Sequence, residues 1–172
     1  MTVSRAVLAL GSNVGDRLAM LQSGVDAAAS AGSVTAVSPV YETDPVGGPD
    51  QEDFLNAVVV VETAARPSAL LQLAHQVERA QGRVRGAHWG PRTLDMDVIA
   101  VGDQVVDELE LTVPHPRAHE RPFVLVPWLA ADPDATLVGH GRVDALLDGL
   151  DVRGVRLRSD LRLRPPALTE RA

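Results

Sequence analysis

The sequence predicts an α+β fold: an antiparallel sheet with helices on its face. Three observations carry that expectation. The runs Ala6–Leu10, Val58–Val61 and Val98–Val101 are short and aliphatic, the last two rich in β-branched residues, the character of buried strands. Two longer segments place apolar residues at helical spacing, Leu18, Leu21, Val25 and Ala28 in the first and Leu70, Leu71, Ala74 and Val77 in the second. Their order along the chain is strand, helix, strand, strand, helix, strand, which is the split βαβ arrangement. No internal repeat competes with it.

Taken in order, Ala6–Leu10 is a strand ended by Gly11-Ser12-Asn13, with Gly11 placed for close backbone approach. Asp16 is the expected N-cap of a helix over Arg17–Ala31, and Gly32 stops it. Gly11–Gly15 lacks the lysine and spacing of a phosphate loop. Val34–Thr43 reads as one strand interrupted at Pro39, followed by a Pro- and Gly-rich loop over 44–52. Phe54–Thr63 is a central strand, apolar on both faces and therefore to be covered on both.

Pro67 opens a second helix at its first turn, running to about Gln81 and ended by Gly82. Asp95–Val101 is the next strand. Gly102-Asp103 signals a tight turn, with Gln104-Val105-Val106 as a short return strand. Leu111–Pro114 is extended. Between Ala118 and Ala131, Pro122 and Pro127 either start or break any helix. Arg142–Leu150 is a last short helix, and Val155–Arg158 an edge strand. The expected organisation is a single domain over 1–160 and a flexible tail over 161–172.

At 172 residues the chain is long enough for a real core, and 45% apolar with 23% charged residues is the balance of a soluble globular protein. The absence of cysteine excludes disulfides and thiolate metal sites. A net charge of −7 excludes a general nucleic-acid binder, while local arginines can still hold one triphosphate. No run approaches the roughly 20 apolar residues of a membrane span, and the start lacks a signal peptide's design, so the cytoplasm is the expected location. Aromatic residues are scarce: Phe54 and Phe123 are the only phenylalanines.

The densest chemistry lies in Arg83–Asp97. Arginines, Trp89 and a histidine sit on a stretch punctuated by Gly86, Gly90 and Pro91, and Asp95 and Asp97 follow as the loop becomes a strand. Residues two apart on a strand share a face, roughly 6.6 Å apart along the backbone. Two carboxylates so placed repel unless protonated or bridged by a cation. With oxygen donors only, that cation is Mg²⁺ or Mn²⁺. Carboxylates for metal beside guanidinium forks describe a polyphosphate site. Singly, each charged feature reads as surface charge, and Trp89 as core or a packed lid; the joint pattern is the specific one.

Four blocks carry a family resemblance: Leu10-Gly11-Ser12-Asn13, Phe54-Leu55-Asn56-Ala57, Trp89-Gly90-Pro91-Arg92-Thr93-Leu94-Asp95-Met96-Asp97, and Leu111-Thr112-Val113-Pro114-His115-Pro116. In this order they resemble 6-hydroxymethyl-7,8-dihydropterin pyrophosphokinase, from about Ala6 to about Leu150. The resemblance implies a ferredoxin-like fold and transfer of diphosphate from ATP to the hydroxymethyl group of a reduced pterin, giving AMP, with two Mg²⁺ ions. It implies Asp95 and Asp97 as metal ligands, and Arg83 and Arg92 as catalytic arginines steadying the transferring group. For ATP it implies His75, Glu78, Arg85, Trp89, Arg92, Val98, Thr112, His115 and Arg121. For the pterin it implies Gly11, Thr43, Asp44, Val46, Phe54, Asn56, Trp89, Asp95 and Phe123, the two phenylalanines sandwiching the ring and Trp89 closing over it. Glu78, like-charged to phosphate, is expected at the ribose or at a loop arginine. The chain departs from the family pattern at His75, Gly86, Glu110 and Pro116. A monomer is expected. The rival readings are a metal-dependent phosphohydrolase using the same aspartates, and a ferredoxin-like RNA-binding or regulatory module, which the aliphatic strands and acidic balance disfavour.

Overall fold

Strand β1 (Ser4–Ser12) runs through the middle of the sheet because its residues pack on both faces. The computed structural model describes residues 2–45, 51–82 and 93–166. Helix α1 (Arg17–Ala31) starts at Asp16, whose carboxylate accepts from Ala19 N at 3.0 Å, satisfying one of the amides that a helix start leaves open. Gly32 ends it against the sheet: a Cβ there would stand 2.0 Å from the Glu62 carbonyl oxygen, so only glycine permits this approach.

The interruption expected at Pro39 divides the stretch over 34–43 into two strands. β2 (Ser33–Val37) and β3 (Tyr41–Thr43) both pair antiparallel with β4 (Phe54–Thr63), at its far and near ends, and Pro39 lies in the break. Pro39 has no N–H for a ladder, which is why the pairing lapses there. Helix α2 (Pro67–Ala80) begins on its proline and leads towards β5 (Asp95–Val101). β1 pairs antiparallel with β4 on one side and β5 on the other. These elements form the ferredoxin-like sheet, with helices α1 and α2 on one face.

β6 (Val106–Asp107), expected to return along β5, pairs instead with β7 (Thr112–Val113) in a separate two-stranded ribbon. Gly102, at a φ of +53°, makes the turn that carries the chain off the sheet. A 3-10 turn (Ala118–Glu120) then leads into α3 (Pro122–Ala131). Pro122 starts this helix, while Pro127 lies inside it without ending it. A small hairpin, β8 (Thr136–Leu137) with β9 (Gly141–Arg142), was not foreseen from the sequence; it precedes α4 (Val143–Asp148). β10 (Val155–Leu157) is the edge strand, antiparallel to β3.

The sheet therefore carries two cores. Leu8, Leu10, Val59 and Val61 pack with Leu21, Val25, Leu70 and Ala74 of α1 and α2. Val7, Val58, Val60 and Ile99 pack with Val124, Leu125 and Trp128 of α3 and with Leu137 and Val143. The two-sided apolar character of β4 is thus satisfied by a second helical layer. Of the stretch expected as a tail, the structure describes residues 161–166. Leu161 and Leu163 pack on the α1 side, and Arg164 exchanges main-chain hydrogen bonds with the Gln22 amide at 2.8 and 2.9 Å.

Candidate active site

Register places the site. Gly11 on β1 is paired with Asn56 on β4 and with Asp95 on β5; two residues back, Ala9 is paired with Val58 and Asp97. Asp95 and Asp97 are half-buried, while Met96 and Val98 between and after them are buried in the α1–α2 core. Strand alternation thus turns both aspartates to the α3 face, as their spacing predicts.

A cavity of about 260 Å³ opens there, lined by Gly11, Thr43, Asp44, Gln51, Phe54, Asn56, Asp95, Asp97, His115, Arg121 and Phe123. Its floor stays low because position 11 is glycine: a Cβ would lie 3.3 Å from Asn56 Oδ1 and 3.6 Å from a Phe54 ring carbon. Asn56 is buried and donates from Nδ2 to Thr43 Oγ1 at 2.7 Å, so its amide plane is fixed by the neighbouring strand. Phe54, from the start of β4, and Phe123, from the first turn of α3, are only half-buried. Large aromatic faces left partly open in a chain with so few aromatics are available for a flat ligand.

A second cavity, of about 440 Å³, adjoins it at the edge of β5. His75 and Glu78 of α2, Val98 of β5, Thr112 of β7, and Leu71, Leu109 and Glu110 line it. Asp95, Asp97 and His115 line both cavities and so stand at their junction.

His115 is fixed by Arg117, whose amide N donates to its Nδ1 at 3.2 Å. The proton of the neutral ring therefore sits on Nε2. Burial, helped by the charges of Arg121 and Arg117 and opposed by Asp95, lowers its pKa to about 4. At neutral pH it is a hydrogen-bond donor without charge. Arg121 has its pKa lowered from the ordinary value by burial, with Asp97 opposing, and stays cationic; its guanidinium lies 5.6 Å from the Phe123 ring centre.

Glu78 is expected at a ribose or a loop arginine, and the loop arginines lie outside the described residues. It is 3% exposed, and its Oε1 accepts from Met96 N at 3.1 Å, between the two aspartates. It secures the β5 backbone from below. Among the described residues no group of three or more His, Asp or Glu is arranged to hold a metal unaided. Two carboxylates nevertheless suit Mg²⁺, which commonly binds one or two with substrate phosphates completing its shell.

Of the predicted ATP residues, His75, Glu78, Val98, Thr112 and His115 line the second cavity, and Arg121 lines the first. Of the predicted pterin residues, Gly11, Thr43, Asp44, Phe54, Asn56, Asp95 and Phe123 line the first. Val46, Arg83, Arg85, Trp89 and Arg92 lie outside the described residues. Sequence reasoning missed Gln51 in the first cavity and the part played by Asn13, which donates to Gln51 Oε1 at 2.8 Å and to the Glu52 carbonyl at 3.2 Å. The Leu-Gly-Ser-Asn block marked Asn13, but not what it reaches.

Two unlike cavities meeting at a carboxylate pair, on a ferredoxin-like sheet, are the arrangement that a two-substrate transferase requires. The profile of the 7,8-dihydro-6-hydroxymethylpterin-pyrophosphokinase (HPPK) family matches residues 7–133. The 2-amino-4-hydroxy-6-hydroxymethyldihydropteridine pyrophosphokinase of Mycobacterium leprae is 49% identical over 172 residues, covering 90% of this chain and 89% of that protein. The Bacillus subtilis enzyme of the same name is 47% identical over 124 residues, 71% and 74% of the two chains. The crystal structure of wild-type Plasmodium falciparum HPPK-DHPS superposes with a TM-score of 0.68 at 15% identity, over 86% of this chain and 44% of that one. The chain therefore belongs to the 7,8-dihydro-6-hydroxymethylpterin-pyrophosphokinase family, and it is a pyrophosphokinase of folate biosynthesis. No helix among the described residues is long and apolar enough to cross a membrane.

Proposed function

We propose that the first cavity takes 6-hydroxymethyl-7,8-dihydropterin, the second takes ATP, and diphosphate passes between them over Asp95 and Asp97. The observation that supports this most directly is that these two side chains and His115 are shared by both cavities. Phe54 and Phe123 hold the pterin ring by its faces, and Asn56 with Thr43 reads its edge. His75, Val98 and Thr112 contact the nucleotide.

The pterin hydroxymethyl oxygen attacks the β-phosphorus of ATP. The bond from that phosphorus to the oxygen bridging the α-phosphate breaks, AMP leaves with the oxygen, and the hydroxyl proton passes to solvent. Asp95 and Asp97 would hold two Mg²⁺ ions, which supply positive charge to the phosphate oxygens. His115 donates from Nε2 to a phosphate oxygen and, with that proton in place, is not the base. Arg121 offers a fixed cation to the same charge. Arg83, Arg85, Arg92 and Trp89 keep the roles implied by the family resemblance. Most of the barrier is lowered by alignment and charge neutralisation. We take the enzyme to work as a monomer in the cytoplasm.

The test is incubation with ATP, Mg²⁺ and the hydroxymethyl pterin. AMP release dependent on pterin is expected; ADP as product would overturn the diphosphoryl reading. Asp97→Ala is expected to cut kcat by about a thousandfold or more, as loss of a charge-stabilising group does, while pterin still binds. Normal turnover at saturation with lost pterin binding would contradict the place given to Asp97.

A further inference from the structure

The arginine-rich end of the chain takes no part in the reaction just described, yet it reaches the strand ends that line the first cavity. β3 and β4 cease to pair after Thr43 and Phe54, both of which line that cavity. The next residue outward on each strand is an aspartate, Asp44 and Asp53. Arg156 on β10 bridges them: its Nη2 donates to Asp44 Oδ1 at 3.2 Å and to Asp53 Oδ2 at 3.0 Å. A second bridge lies alongside. Arg17, at the start of α1, donates from Nη1 to Glu42 Oε2 at 2.9 Å and to the Asp53 carbonyl at 2.9 Å. Arg158 donates to the same Glu42 oxygen at 2.8 Å. Arginines from both ends of the domain thus tie the strand end carrying Thr43 to the strand start carrying Phe54.

We propose that Arg156 is a positioning residue for the pterin slot, closing β3 onto β4 so that Thr43, Asp44 and Phe54 keep the spacing the pterin ring requires. The inference rests on the assignment of the first cavity to the pterin. The electrostatics give it direction. Without Arg156 the two aspartates are like charges at the mouth of the slot, and the strand ends move apart. Arg156 is partly exposed, its side chain 43% accessible, so the bridge adds little to global stability. Its effect falls on local spacing and therefore on pterin binding. Both bonds come from a single nitrogen, so an ammonium group can replace the guanidinium here.

The experiment is steady-state kinetics with each substrate varied, beside direct pterin binding, for Arg156→Ala, Arg156→Lys and Arg156→Glu. For Arg156→Ala, KM for the pterin is expected to rise about fivefold, the scale of one or two exposed charge contacts. Arg156→Glu should raise it further, and Arg156→Lys should restore most of it. The value of kcat, KM for ATP and the melting temperature should stay near those of the unaltered protein. Exchanging the charges, Arg156→Asp with Asp53→Arg, should recover part of the loss. Phe123→Ala separates the two levels. If it weakens pterin binding while Arg156→Ala does not, the bridge has no positioning role and the slot assignment stands. If neither substitution alters pterin binding, the slot assignment fails and this inference with it.

Discussion

Phe123 lines the first cavity from the first turn of α3, and the Arg121 guanidinium lies 5.6 Å from its ring centre. Phe123→Ala removes one wall of the slot. Pterin binding should weaken by about 1–3 kcal/mol, the scale of a stacking aromatic, with KM for ATP unchanged; equilibrium titration by pterin fluorescence reads it. His115 gives a prediction in pH for the metal-free protein. Its folded pKa of about 4 lies below the ordinary value of 6.5, so the folded state binds fewer protons between those values. Its contribution to stability is therefore complete above about pH 6.5 and is lost as pH falls through 4. A resonance assigned to the His115 ring that titrated near 6.5 in the folded protein would refute the burial assigned to it.

At the scale of the element, β5 matters because both aspartates hang from it. Its backbone between them is secured by Glu78, reaching across from α2 to Met96 N at 3.1 Å. Glu78→Ala leaves a buried amide without that acceptor, at a cost of about 1–3 kcal/mol. Glu78→Gln keeps an oxygen in the same place and should restore most of the stability. A denaturant series on both variants measures it. Equal losses for the two would mean that the charge, and not the hydrogen bond, does the anchoring.

Legibility divides at this scale. Helix α1, strand β4 and the shared face of Asp95 and Asp97 could be read because period and spacing act within one segment. The partner of β6 could not, since a two-residue strand carries no register of its own. Asn13 and Arg156 were unreadable as site supports for another reason: their partners Gln51 and Asp53 stand 38 and 103 positions away, and only the folded chain brings them together. The hold of Glu78 on the Met96 amide was unreadable for the same reason, its partner lying 18 positions away.

At the scale of the molecule, one sheet serves two cores, and β1, β4 and β5 contribute alternate side chains to each. Disturbance of either core therefore acts on the strands that carry the site. Leu137 is fully buried on the α3 side, away from both cavities. Leu137→Ala should cost about 2–5 kcal/mol, the range for emptying a packed leucine site. Because the two cores share their strands, the loss should appear in the unfolding of the whole domain and not of the second helical layer alone. Trp128 is buried in that layer, and after Trp89→Phe it is the sole tryptophan, so its emission reports the second core while far-ultraviolet dichroism reports the whole. The two transitions should superimpose in the Trp89→Phe protein and shift together when Leu137→Ala is added. A fluorescence transition preceding the dichroism transition would show that α3 and α4 come away first, and that the sheet with α1 and α2 stands without them.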